Sequence, residues 1–162
     1  VSPSPLHYLS SRFLPLKGER YVLSHTCSHR LFKTSFAAFK PAAEIAKKFN
    51  AKLFLLHVAE EIPVYAYRIG VSQKELDEQI VEHSAAEMRK AAKRLNVKDA
   101  ELIVRTGNVQ QEILSVVKEK KIDLIVMGTQ GRTGLAHAVV GSIAEKIVRL
   151  APCRVLTVKP AR

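Results

Sequence analysis

The sequence predicts an α/β domain of the doubly wound, Rossmann-like class: an open parallel sheet with helices on both faces. Three observations point there. Strand-length apolar runs alternate with helical stretches of ten residues or more. Two of those runs, Lys52–Val58 (KLFLLHV) and Asp123–Met127 (DLIVM), are almost continuously apolar, the texture of strands covered on both faces. The second run leads straight into a glycine-rich loop. Alternation of this kind implies right-handed βαβ crossovers and hence parallel strands.

The elements follow in order. Phe36, Phe39, Ala43 and Ala46 recur at helical spacing and predict a helix over about 36–49. Pro41 lacks an N–H, so that helix is expected to begin close to Lys40 or to kink there. After the strand Lys52–Val58, residues 60–71 read as a loop punctuated by Pro63 and Gly70. Ser72-Gln73-Lys74-Glu75 has the form of a capping box, and Leu76, Ile80, Ser84, Met88, Ala91 or Ala92, and Leu95 then keep one helix face apolar. Ala100–Arg105 is the next strand. Gly107-Asn108 ends it and caps a helix lined by Val109, Ile113, Val116 and Val117. Asp123–Met127 follows as a strand, then a helix over Gly141–Leu150 and a last strand over Arg154–Val158. A further strand is needed near residues 20–28 to complete the sheet.

The texture changes near Ser35. Before it, Glu19 is the single acid among five Lys and Arg residues that include Arg12, Lys17 and Arg30. Residues 1–18 are expected to be a flexible extension and 19–162 a single domain. His25 and His29, set among serines, are expected to be loop residues and not metal ligands.

Bulk properties narrow the function classes. The chain has 162 residues, 47% hydrophobic, enough for a sizeable core. No apolar run approaches the ~18 residues of a membrane span. The formal charge of +11 is spread over helices where cations sit among acids (Glu87, Arg89, Lys90, Lys93, Arg94), the pattern of a solvated face. Aromatics are 6%, with no RNA-binding signature, so neither a nucleic-acid nor a membrane partner is expected. Cys27 and Cys153 form no CxxC pair, so no disulfide framework is implied and a cytoplasmic setting is expected. Cys153 is expected to sit in a buried strand as a small apolar side chain.

The candidate site lies where Asp123–Met127 ends on Gly128-Thr129-Gln130-Gly131-Arg132-Thr133-Gly134. In open parallel sheets, ligands bind beyond the carboxyl ends of the strands, where strand order reverses. Nine residues separate Gly131 from Gly141, and Gly141-Ser142 opens a helix. Glycines let main-chain N–H groups face a ligand, and the first turn of a helix offers unpaired donors and a positive dipole end to phosphate. Ser142 adds a hydroxyl and Arg132 a cation. The loop is neither a Walker loop nor a GxGxxG turn. By spacing alone it fits phosphate binding or a plain structural turn.

Three stretches carry a resemblance: DLIVMGTQGRTG from Asp123, VGSIAEKIV from Val140, and APCRVLTV from Ala151. They look like the universal stress protein family, whose nucleotide-binding branch has glycine, two residues, glycine, nine residues, then glycine and serine or threonine. Gly128, Gly131, Gly141 and Ser142 match, and the resemblance runs upstream to about Ser35. It implies a five-stranded parallel sheet in order 3-2-1-4-5 that binds ATP, often with Mg²⁺ or Mn²⁺, and dimerises through the C-terminal edge strand around Val155–Val158. Carried over by position, Val58 contacts the adenine region, and Met127 and Gly128 line the ribose and phosphate side. Gly131, Gly141, Ser142 and Ile143 hold the phosphates.

One departure stands out. Binding members end their first strand in an aspartate, and no Asp precedes Asp77 here; Arg30, Thr26 or Cys27 falls in its place, depending on the alignment. The implied function is an ATP-binding stress-response protein, at most a weak ATPase, with Glu145 a surface residue. The alternative is a dimeric interaction module of the same fold that does not bind nucleotide.

Overall fold

The computed structural model describes residues 20–27, 32–59, 72–94, 96–97, 100–128 and 141–159. The expected N-terminal extension and the 60–71 loop lie outside the described residues. Nine elements follow in order: β1 (Arg20–Cys27), α1 (Phe32–Phe49), β2 (Lys52–Ala59), α2 (Gln73–Arg94), β3 (Glu101–Thr106), α3 (Val109–Glu119), β4 (Leu124–Gly128), α4 (Ser142–Leu150) and β5 (Arg154–Val158). The strands form one sheet in the order β3-β2-β1-β4-β5, and every neighbouring pair is parallel.

Alternation along β2 divides the core between the two faces. Leu53 and Leu55 pack with Phe39, Ala42 and Ile45 of α1 and Met88 and Ala91 of α2. Phe54, Leu56 and Val58 pack with Val109, Ile113 and Val116 of α3 and Ala144 and Ile147 of α4. Successive strand residues point to opposite faces, so a strand covered on both sides must be apolar throughout. Among the buried residues of β2, His57 is the polar exception, 3% exposed.

Helix starts and ends show local chemistry winning in small steps. At the start of α2 the Ser72 N–H donates to a Glu75 carboxylate oxygen at 3.0 Å, and Ser72 Oγ accepts the Glu75 N–H at 3.2 Å, the reciprocal capping box. At the start of α3 the Asn108 side chain accepts the Gln111 N–H at 3.2 Å. Three helices close alike. Asn50, Asn96 and Lys121 take positive φ, and the N–H of the next residue reaches back five positions: Ala51 to Ala46, Val97 to Ala92 and Ile122 to Val117. This is the Schellman closure, which asparagine tolerates better than most side chains.

Some expectations need correction. The first helix starts at Phe32, earlier than about 36, and Pro41 lies well inside it. His25 is not in a loop: it belongs to β1, in register with His57 of β2. β1 persists as a strand despite its polar second half because β2 pairs with it along all eight residues. Its start is also pinned from the other side. The Arg20 N–H donates to the Asp123 carboxylate at 2.7 Å, and the Asp123 N–H donates to the Arg20 carbonyl at 3.0 Å. Cys153 is half-buried and lies one residue before β5, where burial, then the Asp123 charge, pushes its thiol pKa upward. The remaining strand boundaries lie within one residue of expectation.

Candidate functional site

The strand order reverses direction between β1 and β4: the chain winds outward through β2 and β3 on one side, then through β4 and β5 on the other. The ladders part at this switch point. The β1–β4 register runs from Tyr21↔Leu124 to Leu23↔Val126, whereas β1–β2 continues to Cys27↔Ala59 and β4–β5 to Gly128↔Val158. Met127 and Gly128 therefore extend past the stretch of β4 that pairs with β1. Such a divergence opens a crevice at the carboxyl end of a parallel sheet, where ligands of doubly wound folds bind.

The anticipated residues distribute around this crevice as follows. Val58 lies next to the end of β2, level with Thr26 of β1 and Arg105 of β3. Val58 and Met127 are both buried in the core cluster under α3 and α4, so what they can offer a ligand is main chain, not side chain. Gly128 ends β4 and is half-buried. Gly141 is the N-cap of α4 with an extended backbone, φ −58° and ψ 145°. Ser142 is the exposed first residue of α4, and Ile143 is half-buried against the same core cluster. Gly131 and Arg132 lie outside the described residues.

The start of α4 differs from the starts of α2 and α3 in one respect that bears on ligand binding. Its first intrahelical bond runs from the Glu145 N–H to the Gly141 carbonyl at 2.9 Å. The N–H groups of Ser142, Ile143 and Ala144 precede it, and Gly141 has no side chain with which to cap them. Uncapped first-turn donors at the positive end of a helix dipole favour an anion. Burial of Ala144 and Ile147 in the core holds this helix in place, so the donors are preorganised. Glu145 is exposed, as expected of a surface residue.

Sequence reading missed the parting of the ladders, since register leaves no trace in local periodicity. It also missed Arg105. Its guanidinium is held by Glu119 at 2.6 Å while its Nε is buried without a hydrogen-bond partner among the described residues. Arg105 sits level with Val58, and its strand reads in sequence as an ordinary amphipathic run.

A doubly wound α/β domain of this strand order has its ligand position at the switch point, beyond the carboxyl ends of β1 and β4. The model of the Universal stress protein family matches residues 32–159. The chain belongs to that family. It is 33% identical over 127 residues to Universal stress protein MJ0531 of Methanocaldococcus jannaschii, covering 77% of this chain and 75% of that one. Solved structures share the fold. UspA from Lactobacillus plantarum superposes with a TM-score of 0.71 at 24% identity, over 89% of this chain and 99% of that one. A universal stress protein in complex with cAMP gives 0.60 at 22% identity, over 88% and 98%. A family protein from Arabidopsis thaliana with AMP bound gives 0.57 at 20% identity, over 88% and 92%.

Proposed function

We propose that this chain is a cytoplasmic, ATP-binding regulatory protein of the stress-response type, with slow hydrolysis at most. The observation that carries the reading is the uncapped start of α4 beside the crevice between β1 and β4. In this reading the N–H groups of Ser142 and Ile143, the Ser142 hydroxyl and the glycines Gly128, Gly131 and Gly141 surround the phosphates. Arg132 supplies a cation. The main chain of Val58, Met127 and Gly128 meets the nucleoside. Two structural neighbours hold cAMP and AMP, and adenine is common to both. Mg²⁺ or Mn²⁺ would accompany ATP, held by the phosphate oxygens and neutralising part of their charge.

The same reading makes the protein a homodimer through β5. That strand is a sheet edge, and an unpaired edge is a template for a second chain. α4, which packs beside it, carries Val148 and Leu150 at 52% and 53% exposure, apolar surface that a partner copy would cover.

The test is a thermal-unfolding experiment with and without ATP and Mg²⁺. Ligand bound only to the folded state raises the melting temperature, by about 2.7 kcal/mol of stability at a hundredfold excess over Kd. Gly131→Val should abolish the shift. An equal shift in that variant would remove the glycine loop from the site.

A further inference from the structure

At the opposite end of the sheet, a groove of about 1190 Å³ lies between the closing turns of α1 and α2 and the start of β2. Its floor is apolar and shallow-sided, formed by Ala43, Ala46, Leu53 and Val97, and Lys40, Lys47 and Arg94 stand on its rim. These three cations form no ion pair among the described residues, whereas Lys52 is held by Glu101 at 2.7 Å. Glu44 is the one acid lining the groove among the described residues. The two helix ends add about half a negative charge each. Together with Glu44 they offset the rim incompletely, and Lys48 and Lys93 extend the positive field along the same two helix ends.

We propose that this groove docks an acidic segment of a partner protein, with apolar side chains between its carboxylates. Its open form argues against a metabolite, since small-molecule sites enclose most of their ligand's surface. Charge argues against the chain's own residues 1–18, which carry Arg12 and Lys17 and no acid, and against a second copy of the same basic face. Among the described residues the lining has no aromatic side chain on which a nucleic-acid base could stack. An acidic polypeptide satisfies both halves of the groove, carboxylates at the rim and short apolar side chains on the alanine floor. Both Schellman closures hold the walls in place, so little ordering is needed before binding. The groove is remote from the crevice at the carboxyl ends of the strands, so partner and nucleotide can be bound together.

The experiment is fluorescence anisotropy with a short fluorescein-labelled peptide of Glu, Ala and Leu and the full chain. Saturable binding that weakens with added salt is expected. Lys47→Glu/Arg94→Glu should weaken it about tenfold or more, and Lys47→Ala/Arg94→Ala by a smaller factor in the same direction. Lys118→Glu/Lys121→Glu makes the same charge change at the closing end of α3, outside the groove, and should cost less than about threefold. Far-UV circular dichroism checks that each variant is folded. Equal losses in both charge-reversal variants would reduce the effect to net charge and overturn the proposal. Absence of peptide binding, or tighter binding of an oligouridylate or of phosphatidylserine vesicles, would overturn it as well.

Discussion

α3 and α4 begin in the same topological setting, each after a parallel strand and a glycine, yet their first turns are used differently. At α3, Gly107 with φ +132° turns the chain, and Asn108 takes up the first-turn Gln111 N–H with its own side chain. At α4 a glycine occupies the capping position itself and leaves the donors of Ser142 to Ala144 without a side-chain acceptor among the described residues. The comparison separates structural from functional use of one element. A capped terminus contributes stability, while an uncapped one held rigid by its buried face is available to a ligand. α2 stands with α3, because its serine and glutamate satisfy each other.

Exchanging the two starts gives the largest effect. Gly141→Asp places an acceptor and a negative charge at the α4 dipole, which should raise the stability of the ligand-free protein by about 0.3–1 kcal/mol. The same carboxylate should weaken ATP more than about tenfold, a loss of roughly 1.4 kcal/mol. Melting curves and calorimetry on one preparation read both, and opposite signs are the signature. If stability and affinity fall together, the variant merely damages the helix. Next in size, Asn108→Ala should cost about 1 kcal/mol in urea denaturation and leave ATP affinity unchanged. A change in affinity there would mean the two termini are not independent.

The smallest effect separates the two kinds of cap. The Glu75 carboxyl lies below its ordinary value because the Ser72 N–H, then the Ser72 hydroxyl, bonds its charged form. A lowered carboxylate pKa contributes stability above its unfolded value and loses it as pH falls through the folded one. Amide protection relative to the unfolded chain should therefore fall at the start of α2 below about pH 4.5, while at the amide-capped start of α3 it stays constant. An equal fall at both helices would indicate general acid loosening.

Those parts of the fold carried by periodicity were legible before any coordinates. Val109, Ile113, Val116 and Val117 are the buried residues of α3, as their spacing indicates, and β5 has its expected bounds. Capping residues were equally plain, because a side chain three positions from a donor is a local matter. β1 was harder. Ser24-His25-Thr26-Cys27 carries no apolar alternation, and its strand conformation comes from partners more than thirty residues away. The start of α1 was placed late: its apolar spacing becomes legible only at Phe36, and Pro41 left open a start near Lys40 or a kink, whereas the helix begins at Phe32 and continues through Pro41. At the site, Gly128, Gly141 and Ser142 were visible as a motif. The burial of Val58 and Met127 was legible as well, in apolar runs typical of strands covered on both faces; the register that sets them at the crevice was not.

The central claim is that the uncapped α4 terminus and the switch-point crevice form a nucleotide site, although no Asp precedes Asp77 in the chain. A calorimetric titration of the purified full chain with ATP and Mg²⁺ tests it most directly. The account predicts a saturable isotherm near one nucleotide per chain, lost in Gly131→Val. A flat titration with ATP, AMP and cyclic AMP alike would contradict it and leave a family member that works through protein contacts alone.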